Sequence, residues 1–263
     1  MTLTFGRWAL AAGPLLYLTR SHLRADLAGL RPHWVRVSLM GGFGFTSFNA
    51  LFYVAAHHTS ALNVSLIQAL IPVLVLIGGA LFLHLRFTWL QGAGALVTMV
   101  GVAVIASQGE LTRLGALAIN DGDALMLLCC VLYTGYALGL PNRPAVSALG
   151  FFTAIVLVAF ATSAPLFVFE ILHGDFIWPS LAGYALLLYA AVFASLLSQI
   201  FFMRGVELLG PGRAGIFVNL VPVFGALMSV ALLGETFASY HVAALLLVIA
   251  GIAISQFGRV LRL

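Results

Sequence analysis

The sequence contains no lysine and few charged residues of any kind. Charged side chains make up 8% of the 263 residues, whereas a soluble domain has about 25%. Hydrophobic residues make up 62% and the mean hydropathy is +1.11. A water-exposed surface could not be built from this composition. The scarcity of charge therefore excludes a soluble globular domain and predicts an all-α polytopic membrane protein.

Cysteine and catalytic motifs are also scarce. Cys129 and Cys130 are adjacent, so they cannot link distant segments. The HExxH, GxSxG and P-loop patterns are absent, and no GxGxxG pattern stands in the strand–turn–helix context of a nucleotide-binding site. His57-His58 lacks the i, i+4 spacing that places two metal ligands on one helix face. The sequence therefore predicts no metal site and no cofactor, and it argues against an enzyme.

Runs of about 20 apolar residues, which is the length of a membrane-crossing helix, occur nine times. They are too long for strands, and they do not alternate as strands of a membrane barrel would. The loops between them are short and carry Pro, Gly, Asn or charge, as at Arg31-Pro32 and Leu140-Pro141. The predicted spans lie near 3–19, 34–56, 61–83, 89–107, 123–140, 147–169, 181–203, 212–233 and 239–258.

The second half of the chain repeats the first at an offset of 150 residues. Asn49-Ala-Leu-Phe-Tyr53 aligns with Gln199-Ile-Phe-Phe-Met203, and Ala69-Leu-Ile-Pro72-Val aligns with Asn219-Leu-Val-Pro222-Val. Duplicated hydrophobic halves are typical of transporters, which place the substrate site between the repeats. Chance similarity between two apolar stretches is the alternative explanation.

The repeat divides the chain into a first repeat at 1–108, with four spans, and a second at 122–258, with five. An odd number of spans in a complete repeat inverts one half relative to the other. We therefore expect two inverted five-helix repeats, the first of which lacks its first helix.

The arginines lie mostly on one of the two sides that the nine spans define. Only Arg7 and Arg113 fall on the opposite side. The positive-inside rule makes the arginine-rich side cytoplasmic, which predicts an inner-membrane protein with a cytoplasmic C-terminus. This bias accounts for the net charge of +4 without a nucleic-acid partner. The arginines on the cytoplasmic side are Arg20, Arg24, Arg31, Arg36, Arg86, Arg143, Arg204, Arg213, Arg259 and Arg262.

Several segments resemble the EamA-type branch of the drug/metabolite transporter superfamily. They are Phe5-Gly-Arg7-Trp, Gly122-Asp123-Ala-Leu, and Asn219-Leu-Val-Pro222-Val followed by Leu232-Leu-Gly234-Glu235. The resemblance implies a carrier that moves a small organic solute, such as an amino acid or a drug-like metabolite, outward by alternating access. A non-transporting or truncated membrane subunit is the alternative, and a membrane-embedded enzyme is a weaker one.

Two departures from the family pattern affect these expectations. The family's first helix has no counterpart here, so we expect the 263-residue form to transport poorly until such a helix is supplied. The first repeat also reads Leu83-His84-Leu85-Arg86 where the family has a Gly-Glu pair. A symmetric pair of carboxylates at the ends of these helices is therefore excluded.

Polar side chains within the apolar spans are candidates for a substrate cavity, because burying them in a bilayer costs free energy. Asn49 and Gln199 occupy equivalent positions in the two repeats. The alternative is that such side chains only join helices by hydrogen bonds. The cavity candidates are Asn49, Tyr53, Gln68, Tyr133, Tyr136, Ser195, Ser198, Gln199 and Asn219.

Glu235 is a weak candidate for proton coupling, because a carboxylate at a helix end is more often solvated. Gly92, Gly94 and Gly101 predict close contacts between helices. The expected partners are a small-molecule solute and the lipid bilayer, with no nucleic acid. The sequence leaves a homo-oligomer open.

Overall fold

The structure is a computed structural model that describes residues 1–110, 112–115, 120–234 and 236–257. The secondary structure in these ranges is helical throughout, which confirms the all-α prediction. Helix α1 spans Thr2–Thr19. Among the described residues eight helices are long and apolar enough to cross a membrane, and α1, where the first of the nine spans is predicted, is not one of them. The eight are α2 (Leu23–His58), α3 (Ala61–Leu83), α4 (Trp89–Ala106), α5 (Asp121–Asn142), α6 (Ala148–Leu172), α7 (Leu181–Leu209), α8 (Pro211–Ala231) and α9 (Ser239–Phe257).

The helices coincide with the predicted spans except where turns extend them. Helix α2 begins at Leu23 instead of near residue 34. The expected loop at Arg31-Pro32 is a turn of 3₁₀-helix, Arg31–His33, inside α2. A second such turn, Leu140–Asn142, closes α5. In both turns the proline lies at the start, where no backbone N–H is required.

Local backbone geometry recurs at the offset of 150 residues. Met40–Ser47 in α2 and Ala190–Leu197 in α7 are both π-helical. Helices α3 and α8 both run into a left-handed residue, at His84 and Gly234 respectively. Because π-helix is rare and is frequently found at functional sites, its presence at equivalent places supports the internal repeat.

The helices form two compact units. The first comprises Met1–Ala50 and Gly139–Gly205, and the second comprises Leu51–Leu138 and Val206–Leu263. Helices α2 and α7 each begin in the first unit and end in the second.

Aromatic stacking holds α1 in the first unit. Trp8 stacks on Phe45 of α2 with ring centroids 4.6 Å apart, and Phe5 stacks on Phe167 of α6 at 4.7 Å. Such offset pairs add favourable free energy beyond the burial of apolar area. The core of this unit is therefore built around the first two turns of α1.

Glycines allow α4 and α9 to touch in the second unit. A Cβ added to Gly94 would lie 2.4 Å from the carbonyl oxygen of Gly251, and one added to Gly251 would lie 2.6 Å from that of Gly94. A Cβ added to Gly101 would lie 3.0 Å from the carbonyl oxygen of Ala244. The contact positions ascend along α4 while they descend along α9, so the two helices are antiparallel. Antiparallel packing of these repeat-equivalent helices is compatible with an inverted repeat.

These contacts decide the glycine predictions. Close packing is confirmed at Gly94 and Gly101, but the prediction for Gly92 is wrong. A Cβ at Gly92 would meet nothing within 4 Å, because that residue lies on another side of α4.

We expect Gly94→Ala to destabilise the protein by about 1–3 kcal/mol, because the added methyl would overlap backbone atoms that cannot move aside. Gly92→Ala is the matched control, and it should be neutral or slightly stabilising because alanine favours helix. Thermal unfolding of both purified variants in detergent measures the difference. Equal unfolding temperatures would contradict the packing of α4 on α9.

His84→Gly should stabilise the protein by about 0.5–1 kcal/mol, because a side chain at a left-handed residue carries a steric cost that glycine avoids. His84 has φ 52° and ψ 30° at the end of α3. His84→Ala removes the imidazole but keeps Cβ, so it should bring no gain. The same unfolding assay checks the pair, and an equal gain from alanine would show that the imidazole is responsible.

Candidate functional site

Arg7 of α1 directs its guanidinium to oxygen acceptors on two other helices of the first unit. Nη1 donates to Oδ1 of Asn49 on α2 at 2.9 Å, and Nε donates to Oγ of Ser195 on α7 at 3.0 Å. The amide nitrogen of Asn49 donates to the carbonyl oxygen of Phe45 at 2.7 Å, which turns its oxygen towards the arginine. We call Arg7, Asn49 and Ser195 the arginine cluster.

The arginine cluster lies well inside the apolar helices. Ser195 is the central residue of the 29-residue helix α7 and is completely buried. Asn49 lies about two and a half turns before the end of α2, or about 14 Å along the helix axis. The hydrocarbon core of a bilayer is about 30 Å thick. A charged side chain held at this depth is expensive, which makes Arg7 a candidate for a functional residue.

The sequence predicts Arg7 on the outer side with Arg113 but does not predict that its guanidinium contacts other helices. The structure places that guanidinium against side chains of α2 and α7. One signal could have revealed this, since Arg7 is the only charged residue in the predicted span 3–19. Its position near the start of that span suggested the membrane boundary, but an arginine side chain is long enough to reach several ångströms inward.

The two π-helical segments position the acceptors of the arginine cluster. Ser195 lies within the segment of α7, and Asn49 follows the segment of α2 by two residues. Within that α2 segment, the hydroxyl of Thr46 donates to the carbonyl oxygen of Ala159 on α6 at 3.0 Å. The irregular turns therefore place polar side chains against neighbouring helices in the same unit.

Two other predicted site residues belong to the first unit. The side-chain oxygen of Gln199 is buried and has no hydrogen-bond partner within the described part of the chain. Gln199 lies one helical turn after Ser195, so both occupy one face of α7. Ser198 is exposed, and its hydroxyl donates to the carbonyl oxygen of Ala194 in the same helix at 2.7 Å. The structure therefore does not bring Ser198 to the arginine cluster.

The remaining five candidates belong to the second unit. Asn219 is 1% exposed and donates to the hydroxyl of Thr98 at 2.8 Å, which joins α8 to α4. This bond fits the helix-joining alternative. The rings of Tyr133 and Tyr136 lie 5.9 Å apart on α5, and Tyr136 is buried. The half-buried candidates of this unit are Tyr53, Gln68 and Tyr133.

Two carboxylates near helix ends join helices within each unit, a role that the sequence alone does not reveal for either of them. In the second unit Asp123 accepts hydrogen bonds from the hydroxyl of Thr59 and, at 2.9 and 3.0 Å, from the amide nitrogen of Asn63. In the first unit Asp26 accepts from the hydroxyl and the backbone N–H of Ser147, at 2.6 and 3.1 Å. These bonds join helices that are distant in sequence.

Within the described ranges, no group of three or more His, Cys, Asp or Glu side chains is arranged to hold a metal ion. The coupling candidate Glu235 lies outside the described residues. Residues 258–263, which include the C-terminal arginines, also lie outside them.

The model of the EamA-like transporter family matches residues 1–107 and 121–257. The chain belongs to this family. It is thus a multi-pass membrane protein of the EamA-type drug/metabolite transporter class, as the sequence motifs implied.

Relatives of this EamA-family chain carry transporter names. It is 29% identical over 258 residues to "Uncharacterized transporter YyaM" of Bacillus subtilis (strain 168), which covers 94% of this chain and 81% of that protein. It is 25% identical over 215 residues to "Uncharacterized transporter YetK" of the same organism, covering 81% and 64% respectively. It is also 35% identical over 105 residues, 40% of this chain and 32% of the relative, to the "Probable terminal-alkyne amino-acid exporter" of Streptantibioticus cattleyicolor.

A solved crystal structure shares the fold of this EamA-family chain. The superposition has a TM-score of 0.79 and covers 97% of this chain and 86% of the other. At 18% sequence identity the likeness shows the fold alone.

Proposed function

We propose that this protein is an inner-membrane carrier that exports a small organic metabolite, an amino acid or a drug-like solute, by alternating access. The observation that carries the proposal is the transporter-family match over 1–107 and 121–257. The partial similarity to a relative named as an amino-acid exporter supports the solute class and the outward direction.

Polar side chains within the apolar helices supply a physical reason for solute binding. A buried polar group without a hydrogen bond costs about 1–3 kcal/mol. The side-chain oxygen of Gln199 is in this state. A solute with a hydrogen-bond donor would offset the cost while it is bound, which is the behaviour expected of a transport site.

Alternating access follows from the repeat. We propose that 1–108 and 122–258 are inverted repeats that rock against each other around a cavity near the bilayer midplane. The antiparallel packing of α4 on α9 supports the inversion. The positive-inside rule supports a cytoplasmic C-terminus.

Gln199→Leu should lower the rate of solute exchange by about five-fold, the equivalent of one neutral hydrogen bond. It should not lower stability by loss of a bond at Oε1, because that oxygen makes none within the described residues. Counterflow of radiolabelled amino acids in proteoliposomes measures the rate, with Ser198→Ala on the same helix as the control. Undiminished exchange by Gln199→Leu would remove Gln199 from the solute path, and no exchange of any labelled solute by the wild type would contradict the carrier.

Single cysteines at Gly109 and Gly174 should react with a membrane-impermeant thiol reagent from outside intact cells, whereas one at Asn142 should be protected. Gly109 and Gly174 follow α4 and α6, and Asn142 is the last residue of α5, so together the three sites test the alternation of the spans. Cys129 and Cys130 are both buried and are replaced by serine in the background chain. Labelling of position 142 from outside would contradict both the orientation and the inversion.

A further inference from the structure

A groove of about 480 Å³ lies between α2 and α6 in the first unit. Its volume is within the range of small-molecule sites, about 300–1,000 Å³. Apolar side chains of both helices line it, among them Leu27 and Val37 of α2 and Ala154 and Leu157 of α6. Among the described residues of its wall, Arg31 alone is charged. We call it the α2–α6 groove.

The groove exists because α2 bows away from α6. Asp26 of α2 accepts hydrogen bonds from Ser147 at the start of α6, and a Cβ added to Gly41 of α2 would lie 2.7 Å from the carbonyl oxygen of Ile155. Between these two contacts α2 advances 15 residues and α6 advances 8. Those stretches are about 22 Å and about 12 Å of regular helix. The surplus length of α2 must bend outward, and the 3₁₀ turn Arg31–His33 lies near its middle.

Two arginines lie on the groove side of α2. Arg31 lines the groove, and Arg24 lies one helical turn before the lining residue Ala28. Both arginine side chains are exposed, and neither makes a hydrogen bond or an ion pair with another described residue. The carboxylate between them in sequence, Asp26, is held by Ser147. The groove therefore offers an apolar wall and positive charge to the same ligand.

Trp34 places the groove near the membrane surface. It is 66% exposed, lines the groove and opens the predicted span 34–56. Tryptophan is enriched at the level of the lipid headgroups, where one part of its ring is apolar and another is polar. Arg31 precedes Trp34 by about one turn, which puts its guanidinium at the level of lipid phosphates. Basic pockets between helices on the cytoplasmic side bind anionic headgroups, and the sequence predicts this side for Arg31.

We propose that the α2–α6 groove binds one anionic phospholipid. An acyl chain fills the apolar groove, and the guanidinium of Arg31 donates to two oxygens of the phosphate. Arg24 supplies the preference for a lipid with net negative charge over a zwitterionic one. The bound lipid fills the space that the bow of α2 leaves and so joins α2 to α6. The site lies within one unit and does not depend on the proposed carrier function.

Thermal unfolding of the purified, delipidated full chain in detergent tests the site. The probes are phosphatidylglycerol, phosphatidylethanolamine and phosphatidylcholine with identical acyl chains, and glycerol phosphate as the headgroup alone. Phosphatidylglycerol should raise the unfolding temperature in a saturable manner, at a concentration about five-fold lower than either zwitterionic lipid. Glycerol phosphate should have no effect. Equal potency of the three lipids, or an equal shift from glycerol phosphate, would overturn the inference.

Charge variants locate the headgroup. Arg31→Gln should weaken the effect of phosphatidylglycerol by about five-fold, because one arginine near the membrane surface is lost. Arg86→Gln is the matched control, since Arg86 is exposed, is predicted on the same side of the membrane and does not line the groove. It should respond to phosphatidylglycerol as the wild type does. An equal loss in both variants would show that net charge alone is responsible and would overturn the assignment to the groove.

Filling the groove tests the acyl chain separately. Ala28 lines the groove and is exposed, so Ala28→Phe can place its ring there without displacing core residues. This variant keeps both arginines. It should unfold at the wild-type temperature or higher without lipid and lose the shift caused by phosphatidylglycerol. Retention of that shift would contradict a chain bound in the groove, even if Arg31→Gln fails to fold.

Photocrosslinking gives the position of the bound chain. A phosphatidylglycerol analogue with a diazirine in the middle of one acyl chain should label the part of α6 that contains Ala154 and Leu157, and unlabelled phosphatidylglycerol should compete with it better than phosphatidylcholine does. Labelling confined to helices other than α2 and α6 would overturn the inference.

Discussion

The hydrocarbon of a bilayer offers no hydrogen bonds, so polar groups inside it must find partners within the protein. The backbone meets this requirement through helices joined by short connections. Side chains meet it in pairs, as where Asn219 donates to Thr98 and where Asp123 accepts from Asn63. Each such pair also joins two helices. The hydrogen bonds that satisfy these polar side chains are therefore also bonds that hold the helices of a unit together.

The arginine cluster meets the same requirement across three helices. Asn49 and Ser195 accept hydrogen bonds from two nitrogens of the Arg7 guanidinium. The neighbouring π-helical segments also replace regular i→i+4 bonds with a wider turn. Departures from ideal packing thus coincide in one unit of a protein whose family transports solutes, which is where function is expected to tolerate them.

The long helices could be predicted because the thickness of the bilayer sets their length and apolar character. Their exact extent could not. The turn Arg31–His33 continues α2 instead of ending it, because proline at the start of a turn removes no needed donor. The π-helical segments gave no signal in the sequence, since no residue type specifically favours them. Only the backbone conformation of the structure shows that the two π-helical segments lie 150 residues apart.

The residues of the candidate site could be predicted from their type, but their hydrogen-bond partners could not. Asn49 and Ser195 stood out as polar residues in apolar runs, whereas Arg7 was assigned to the boundary by its place in the chain. Ser198 looked equivalent to Ser195, yet a helix turns through about 300° over three residues, so the two hydroxyls face different surroundings. Sequence spacing alone could not show which of them meets the guanidinium.

The α4–α9 contact has the form of an interface in a two-fold symmetric homodimer. Gly94 corresponds to Ala244 under the offset of 150, and Gly101 corresponds to Gly251, so the contacts Gly94–Gly251 and Gly101–Ala244 exchange with each other. In a dimer of identical chains, any substitution at this self-complementary surface would appear in both copies and so alter both contacts. In a single polypeptide each position can change independently. The contact Gly94–Gly251 can therefore keep two glycines while the contact Gly101–Ala244 includes a methyl group, and the two halves can diverge while α4 and α9 stay in contact.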